Sequence, residues 1–447
     1  MKQYEARDLR NLAVVGHGAS GKTSLVEAML VLGKEINRMG SIASGSTVSD
    51  YHPGEKERQI SIHSTPLHME WAQKKFNIID APGYSDFIGE SISSLAVVDL
   101  AMVVIHAVNG IEVGTESMWS SATDLGIPKV LVVNGFDREH TKFEEILNQA
   151  KERIGKKVFP MQLPVNSGPG FNQIVDVLRR ELITYKTDGS GEYSEDELPE
   201  NLIADVDALH GELIEHVAES DDSLLEKFFD QGNLSEEEMR GGIHDAIQNQ
   251  VFVPLFCVSA ENNIGVARLC DFIAKYGASP DDRKTVKAIN SNEDEIAVSL
   301  DGEDTVIQVF KTMAESHVGE LSLFRVYSGA VSTGVDLFNT NRNADFVEAL
   351  MEFGALVCKP KDPNCINCCL NKTCKYFKST NKIENFSKKM IKNKNYDIFC
   401  YINKKKQIAL TKNNQISFLK NFNLPEIKEA NSFTKDQNWK FLKNYKN

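Results

Sequence analysis

Arginine is absent from this chain beyond Arg342, and glycine is nearly so: Gly354 is the only glycine after that point, while the other 28 precede it. Residues 344–447 instead hold 20 lysines, 16 asparagines and only 9 Asp+Glu, a net of +11. Residues 1–343 carry 30 Lys+Arg against 54 Asp+Glu, a net of −24 within a whole-chain charge of −13. A basic tail alone can mark nucleic-acid binding. A simultaneous change in Arg, Gly and Asn usage points instead to two coding sequences of different origin. No apolar run approaches the ~18 residues of a spanning helix, which excludes a membrane protein of that type. The N-terminal stretch MKQYEARDLRNLAVVG lacks the apolar centre of a secretory signal, so a cytoplasmic location is expected. Cysteine is scarce before residue 358, where only Cys257 and Cys270 occur. With 447 residues and 41% hydrophobic content, two to four domains with ordinary cores are possible.

What is present begins with a phosphate loop. Residues 10–15 (RNLAVV) read as a buried strand and residues 22–32 (KTSLVEAMLVL) as a helix. Between them runs Gly16-His17-Gly18-Ala19-Ser20-Gly21-Lys22-Thr23, a complete G-x-x-x-x-G-K-[ST]. Glycines let successive N–H groups curl toward phosphate oxygens, Lys22 reaches the β- and γ-phosphates, and the Thr23 hydroxyl is placed to ligate Mg²⁺. The following helix adds its N-terminal dipole to the same anion site. A glycine-rich turn binding nothing is the bland alternative, and the strand–loop–helix context argues against it.

A second apolar strand, residues 75–79 (KFNII), delivers Asp80-Ala81-Pro82-Gly83. A carboxylate at a strand's carboxyl end suits Mg²⁺ held through water, and the Gly83 N–H suits the γ-phosphate. Residues 129–133 (KVLVV) lead into Asn134-Gly135-Phe136-Asp137. The Asp137 carboxylate can accept both N1–H and the exocyclic N2–H of guanine, a pair adenine does not offer. After residues 251–258 (VFVPLFCV), Ser259 and Ala260 are expected to supply a backbone amide to guanine O6.

In this order and spacing the motifs resemble a translational GTPase of the elongation factor G type, over roughly residues 5–342. The stretch Glu55–Ile62 (EKERQISI) resembles switch I and Asp80–Phe87 (DAPGYSDF) resembles switch II. Residues 158–185 resemble the insert of that family's GTPase domain, and residues 307–329 the start of its second, β-barrel domain. The resemblance implies GTP/GDP and Mg²⁺ as ligands, with Ser61 joining Thr23 and Asp80 around the metal, and the ribosome as partner. Tyr84 stands where the family carries a catalytic histidine, so slow hydrolysis is expected. Gly135 stands where a lysine stem packs on the guanine ring, which implies weakened affinity with selectivity kept by Asn134 and Asp137. The implied domains are a GTPase domain at 1–280 with an insert at about 145–250, and a partial barrel at 288–342 that stops short of the family's translocation domains.

Downstream, residues 345–357 (DFVEALMEFGALV) carry a helical apolar stripe. Cys358-x6-Cys365-x2-Cys368-x5-Cys374 follows, with Cys369 and Cys400 left over. Clustered cysteines in a reducing compartment suggest metal before disulfide, either a [4Fe–4S] cluster or tetrahedral zinc. The spacing resembles the iron–sulfur loop of the endonuclease III and adenine DNA glycosylase superfamily, which favours the cluster. Residues 396–427 read as strands with a turn near 403–406 and resemble the opening of the Nudix-like C-terminal domain of adenine DNA glycosylases. The catalytic groups of that family belong upstream of the cysteine loop, where GTPase sequence stands, so no glycosylase activity is expected. Lysines 388, 389, 392, 394 and 404–406 allow nonspecific DNA contact.

The expected fold class is therefore α/β: a P-loop GTPase domain with an inserted subdomain, a truncated β-barrel, a helix plus metal loop at 344–378, and an α+β fragment at 390–447. Three readings share these features. One is a GTP-binding protein with an appended non-catalytic piece, one a glycosylase fragment with a foreign GTPase half, and one a fusion with no unified function.

Overall fold

The computed structural model describes residues 2–289, 295–300, 305–315 and 319–332, together with four short strands between 396 and 429. The chain divides into two compact units, Met1–Asn341 and Arg342–Asn447, each described by itself. In the first, β1 (Leu9–Gly16), α1 (Lys22–Leu32), α2 (Pro53–Arg58), β2 (Thr65–Trp71), β3 (Lys74–Asp80), α3 (Ile88–Leu95), β4 (Leu100–His106), α4 (Val113–Asp124), β5 (Lys129–Asn134), α5 (Phe143–Arg153) and β6 (Val158–Pro160) alternate along the chain. Later come β11 (Val253–Val258) and α9 (Val266–Tyr276), after the intervening segment described below.

A seven-stranded sheet runs β2-β3-β1-β4-β5-β11-β6, antiparallel only between β2 and β3. The central strands LAMVVIH, KVLVVN and VPLFCV are buried almost end to end. Near-continuous apolar runs of this kind are what a parallel sheet covered on both faces requires. The two faces have separate cores. One is packed by Leu25, Met29, Leu213, Ile243 and Leu269, the other by Leu95, Met118, Ile146 and Phe136. Register matters for function. Pairing of Val14 with Asp80 and of Ile105 with Val133 brings the carboxyl ends of β1, β3, β4 and β5 to one edge, where ligands bind in open α/β sheets.

Residues 162–248 depart from that sheet, inside the insert expected at about 145–250. They form a second sheet of β7 (Gln162–Pro164), β8 (Gln173–Asp176), β9 (Glu181–Tyr185) and β10 (Tyr193–Asp196), in the order β10-β9-β8-β7. The helices α6 (Glu200–Ala218), α7 (Asp222–Gln231) and α8 (Glu236–Gln248) follow. The front edge of the expected insert lies elsewhere: α5 buries Ile146, Leu147 and Ala150 in the main core, and β6 pairs with β11. Apolar periodicity alone does not distinguish these two sheets.

Between residues 285 and 328 the described residues form two hairpins, β12 (Thr285–Ile289) with β13 (Glu295–Ser299) and β14 (Val306–Glu315) with β15 (Gly319–Ser328). The second hairpin is anchored through charge. Arg325 Nη2 donates to both oxygens of buried Asp99, at 2.8 and 2.9 Å. Lys311 Nζ donates to Ser64 O at 2.8 Å and to Glu90 Oε2 at 2.9 Å, and Glu90 also accepts from Ser64 N and Oγ, both at 2.8 Å. Burial works against the Glu90 charge, yet these donors hold its carboxyl below the usual range.

In the second unit β16 (Tyr396–Phe399) pairs antiparallel with β19 (Glu426–Glu429), and β17 (Thr411–Lys412) with β18 (Asn423–Leu424). The helix expected at 345–357, the four cysteines expected as metal ligands, Cys358, Cys365, Cys368 and Cys374, and the tail lysines singled out above lie outside the described residues. Among the described residues no cluster of three His, Cys, Asp or Glu is arranged to hold a metal, and no helix is long and apolar enough to cross a membrane. Cys257 and Cys270 are buried, and burial pushes both thiols up, away from the thiolate a metal would need.

Candidate nucleotide-binding site

The loop between β1 and α1 is shaped by backbone that few residues tolerate. Ala19 has φ +60° and Gly21 φ +87°. Gly21 is required twice over: its left-handed conformation, and a neighbour that leaves no room for a side chain, since a Cβ there would lie 2.1 Å from Asn134 Nδ2. Gly21 also caps α1 without a side-chain hydrogen bond, leaving the first-turn amides of an eleven-residue helix for an anion. Lys22 is 5% exposed and donates to His17 O at 2.7 Å. Burial brings its pKa down to about 8, opposed by the charges of Asp80 and Asp50.

Thr23 meets the end of β3. Its hydroxyl donates to Asp80 Oδ2 at 2.9 Å and lies 3.2 Å from Ser61 Oγ. Asp80 is 1% exposed, and burial raises its pKa to about 6. Ser49 Oγ donates to the same Oδ2 at 2.7 Å. Asp80 Oδ1 and Asp50 Oδ2 are buried with no hydrogen-bond partner. Two orphaned carboxylate oxygens beside two hydroxyls form a hard-oxygen set, the donor type that Mg²⁺ takes together with phosphate oxygens and water. The residues present fit that ion.

At the other end, Asn134 links three segments. Its Nδ2 donates to Ser20 O at 3.1 Å, and its Oδ1 accepts the Ala260 N–H at 2.9 Å. The Ala260 amide therefore holds the asparagine, an engagement that adjacency in the motif does not reveal. Ser259 is fully buried and its hydroxyl accepts from Asn262 Nδ2 at 3.2 Å. Asp137 sits beside Arg138, whose Nε lies 3.7 Å from Asp137 Oδ2 and whose Nη2 donates to Glu261.

One cavity of about 350 Å³ joins these ends. Gly18, Lys22 and Thr23 line it together with Ser61, Gly83, Tyr84, Asn134 and Asp137. Tyr84 is 42% exposed and its ring lies against Gly18. His17, Ser20, Asp80, Ala81, Pro82, Ser259 and Ala260 are not among the lining residues of this cavity.

Motif reading did not find the groups that shape residues 33–64. Glu27, on α1 and 1% exposed, accepts from Gly40 N at 2.7 Å and Val48 N at 2.6 Å. Glu55 is equally buried and accepts from His52, Ile62 and His63 amides. Two buried carboxylates thus satisfy five amides of a loop that lacks strand partners, and they carry Ser61 to Thr23. Glu27 inside a helix is weak sequence signal and Glu55, in the first turn of α2, reads as no more than a capping residue; only their partners reveal the role.

Residues 7–279 match the family model described as the elongation factor Tu GTP binding domain. Among solved structures, that of ttk003000868 from Thermus thermophilus is similar with a TM-score of 0.64 and 28% identity, over 72% of this chain and 46% of that one. The chain thus spans less than half the length of this relative.

Proposed function

Because the chain belongs to the elongation factor Tu GTP-binding domain family, we propose that it binds GTP and GDP with Mg²⁺ as a translational GTPase of the elongation factor G type and hydrolyses GTP slowly. The observation that carries this reading is the single cavity in which a phosphate loop and Asp137 face the same space. The Gly18–Thr23 backbone and Lys22 bind the phosphates. Asp137 selects guanine by accepting two donors that adenine does not present together. Thr23 and Ser61 would hold Mg²⁺ directly and Asp80 through water. The ion, when bound, neutralises charge on the β- and γ-phosphate oxygens. Tyr84 lines the phosphate end, where a phenol does not take the proton-exchanging, water-positioning role of an imidazole. Slow hydrolysis follows.

Ribosome engagement rests on family membership alone. Calorimetry of the full chain with GDP, GTP and ATP tests the central claim. Micromolar or tighter guanine nucleotide binding with ATP at least 100-fold weaker is expected; equal ATP affinity, or no binding, overturns it.

For residues 344–447 the cysteine spacing supports a metal loop of the iron–sulfur type, with zinc as the alternative and no glycosylase chemistry. Iron, sulfide and zinc analysis after anaerobic reconstitution decides among four irons, one zinc and neither.

A further inference from the structure

We propose that His106 forms the wall of the base pocket beside Gly135, packing on the purine and donating its Nε2–H to the guanine nucleoside. This deepens the nucleotide-binding reading and rests on it. Gly135 has a φ of +95°, a conformation that a lysine adopts only with strain. The loop is fixed there by its own hydrogen bonds, Gly135 N to Val258 O at 3.0 Å and Arg138 N to Gly135 O at 3.1 Å. The residue therefore offers no stem to cover a base.

The nearest atoms to the missing side chain identify what does. A Cβ built on Gly135 would lie 3.6 Å from His106 Nε2, 3.9 Å from His106 Cδ2 and 3.6 Å from Arg138 Cγ. His106 ends β4, opposite Asn134 in register, and lines the same cavity as Asn134, Asp137 and the phosphate loop. Its protonation is set locally. Val108 N donates to His106 Nδ1 at 3.2 Å, so the proton of the neutral ring sits on Nε2, the atom facing Gly135. Burial and then the Arg138 guanidinium push the imidazole below its usual range, opposed by Glu112 and Asp137, which keeps the ring neutral at pH 7. A neutral, half-buried aromatic ring with one outward N–H suits a purine nucleoside, offering a flat apolar surface and one donor.

The test compares ligands that share the phosphate site and differ at the base. Full-length His106→Ala should weaken GDP binding about tenfold and leave inorganic pyrophosphate binding within twofold. His106→Phe, keeping the ring and losing the donor, should fall between Ala and wild type. With ¹³C-labelled histidine, GDP but not pyrophosphate should shift the His106 ring protons upfield through the purine ring current, a readout on the unaltered chain that survives any misfolding of the variants. An unchanged GDP Kd in His106→Ala, equal losses for GDP and pyrophosphate, or identical His106 shifts with both ligands would overturn the proposal while GDP binding itself persists. If wild type binds no guanine nucleotide, the parent reading fails instead.

Discussion

The two ends of the nucleotide cavity are built on different principles. At the phosphate end the working groups are buried: Lys22, Thr23 and Asp80 are each 5% exposed or less, and the first amides of α1 have no side-chain cap. At the base end the cavity is lined by Gly135, Asp137 and His106 with the exposed Arg138–Glu261 pair. Backbone amides and a lysine cannot be exchanged without losing the anion site, whereas one wall of a base pocket can be supplied by a different strand. The phosphate loop is accordingly complete in sequence, while the base motif departs from its pattern at Gly135.

Breaking the phosphate end should have the largest effect. Lys22→Met removes a charge-assisted contact and is expected to weaken GDP at least 100-fold, roughly 3 kcal/mol, by calorimetry. Because the Lys22 pKa is depressed to about 8, below its ordinary 10.5, the buried lysine costs stability in the nucleotide-free fold, a cost that builds as pH falls from 10.5 toward 8 and is fully present below 8. The same variant should therefore melt no lower than wild type without nucleotide. A lower melting temperature would show that the His17 hydrogen bond outweighs the desolvation.

At the base end, Asp137→Asn should cost GDP about 30- to 100-fold, on the order of 2–3 kcal/mol, and bring the GDP and ADP affinities together. Retained discrimination would move guanine selection to another group.

Asp80→Asn sharpens the comparison by separating binding from stability. The Asp80 pKa, raised to about 6, lies above its ordinary 3.8, so the folded state holds the proton more tightly than the unfolded one. Stability from that proton is present below the ordinary value and lost as pH rises through about 6. Denaturant melts of the nucleotide-free variant at pH 7.5 should show a gain on the order of 1–3 kcal/mol, shrinking toward pH 4. Nucleotide affinity should become less dependent on Mg²⁺. In wild type that dependence should weaken below about pH 6, as the carboxylate takes up its proton.

The smallest effect expected is at Tyr84. Replacing it with His should raise GTP turnover about tenfold, roughly 1.4 kcal/mol in the barrier. Measuring wild-type turnover with and without ribosomes provides the reference; rapid hydrolysis by the wild type would remove the case for a defective phenol.

Local sequence was sufficient for whatever depends on a few consecutive residues. The strands at 9–16, 74–80, 129–134 and 253–258 follow from apolar runs, and the phosphate loop from glycine spacing, because backbone conformation and anion cradling are short-range properties. Contacts between distant residues were not legible. Asn134 reaches Ser20 across 114 positions and Lys311 reaches Ser64 across 247. Glu27 and Glu55 look like surface helix residues until the loop folds over them. His106 acquires a role only because parallel pairing of β4 with β5 sets it opposite Asn134. A side chain's neighbours, its burial and hence its charge state are created when strands far apart in the chain close into one sheet, and no run of residues encodes them on its own.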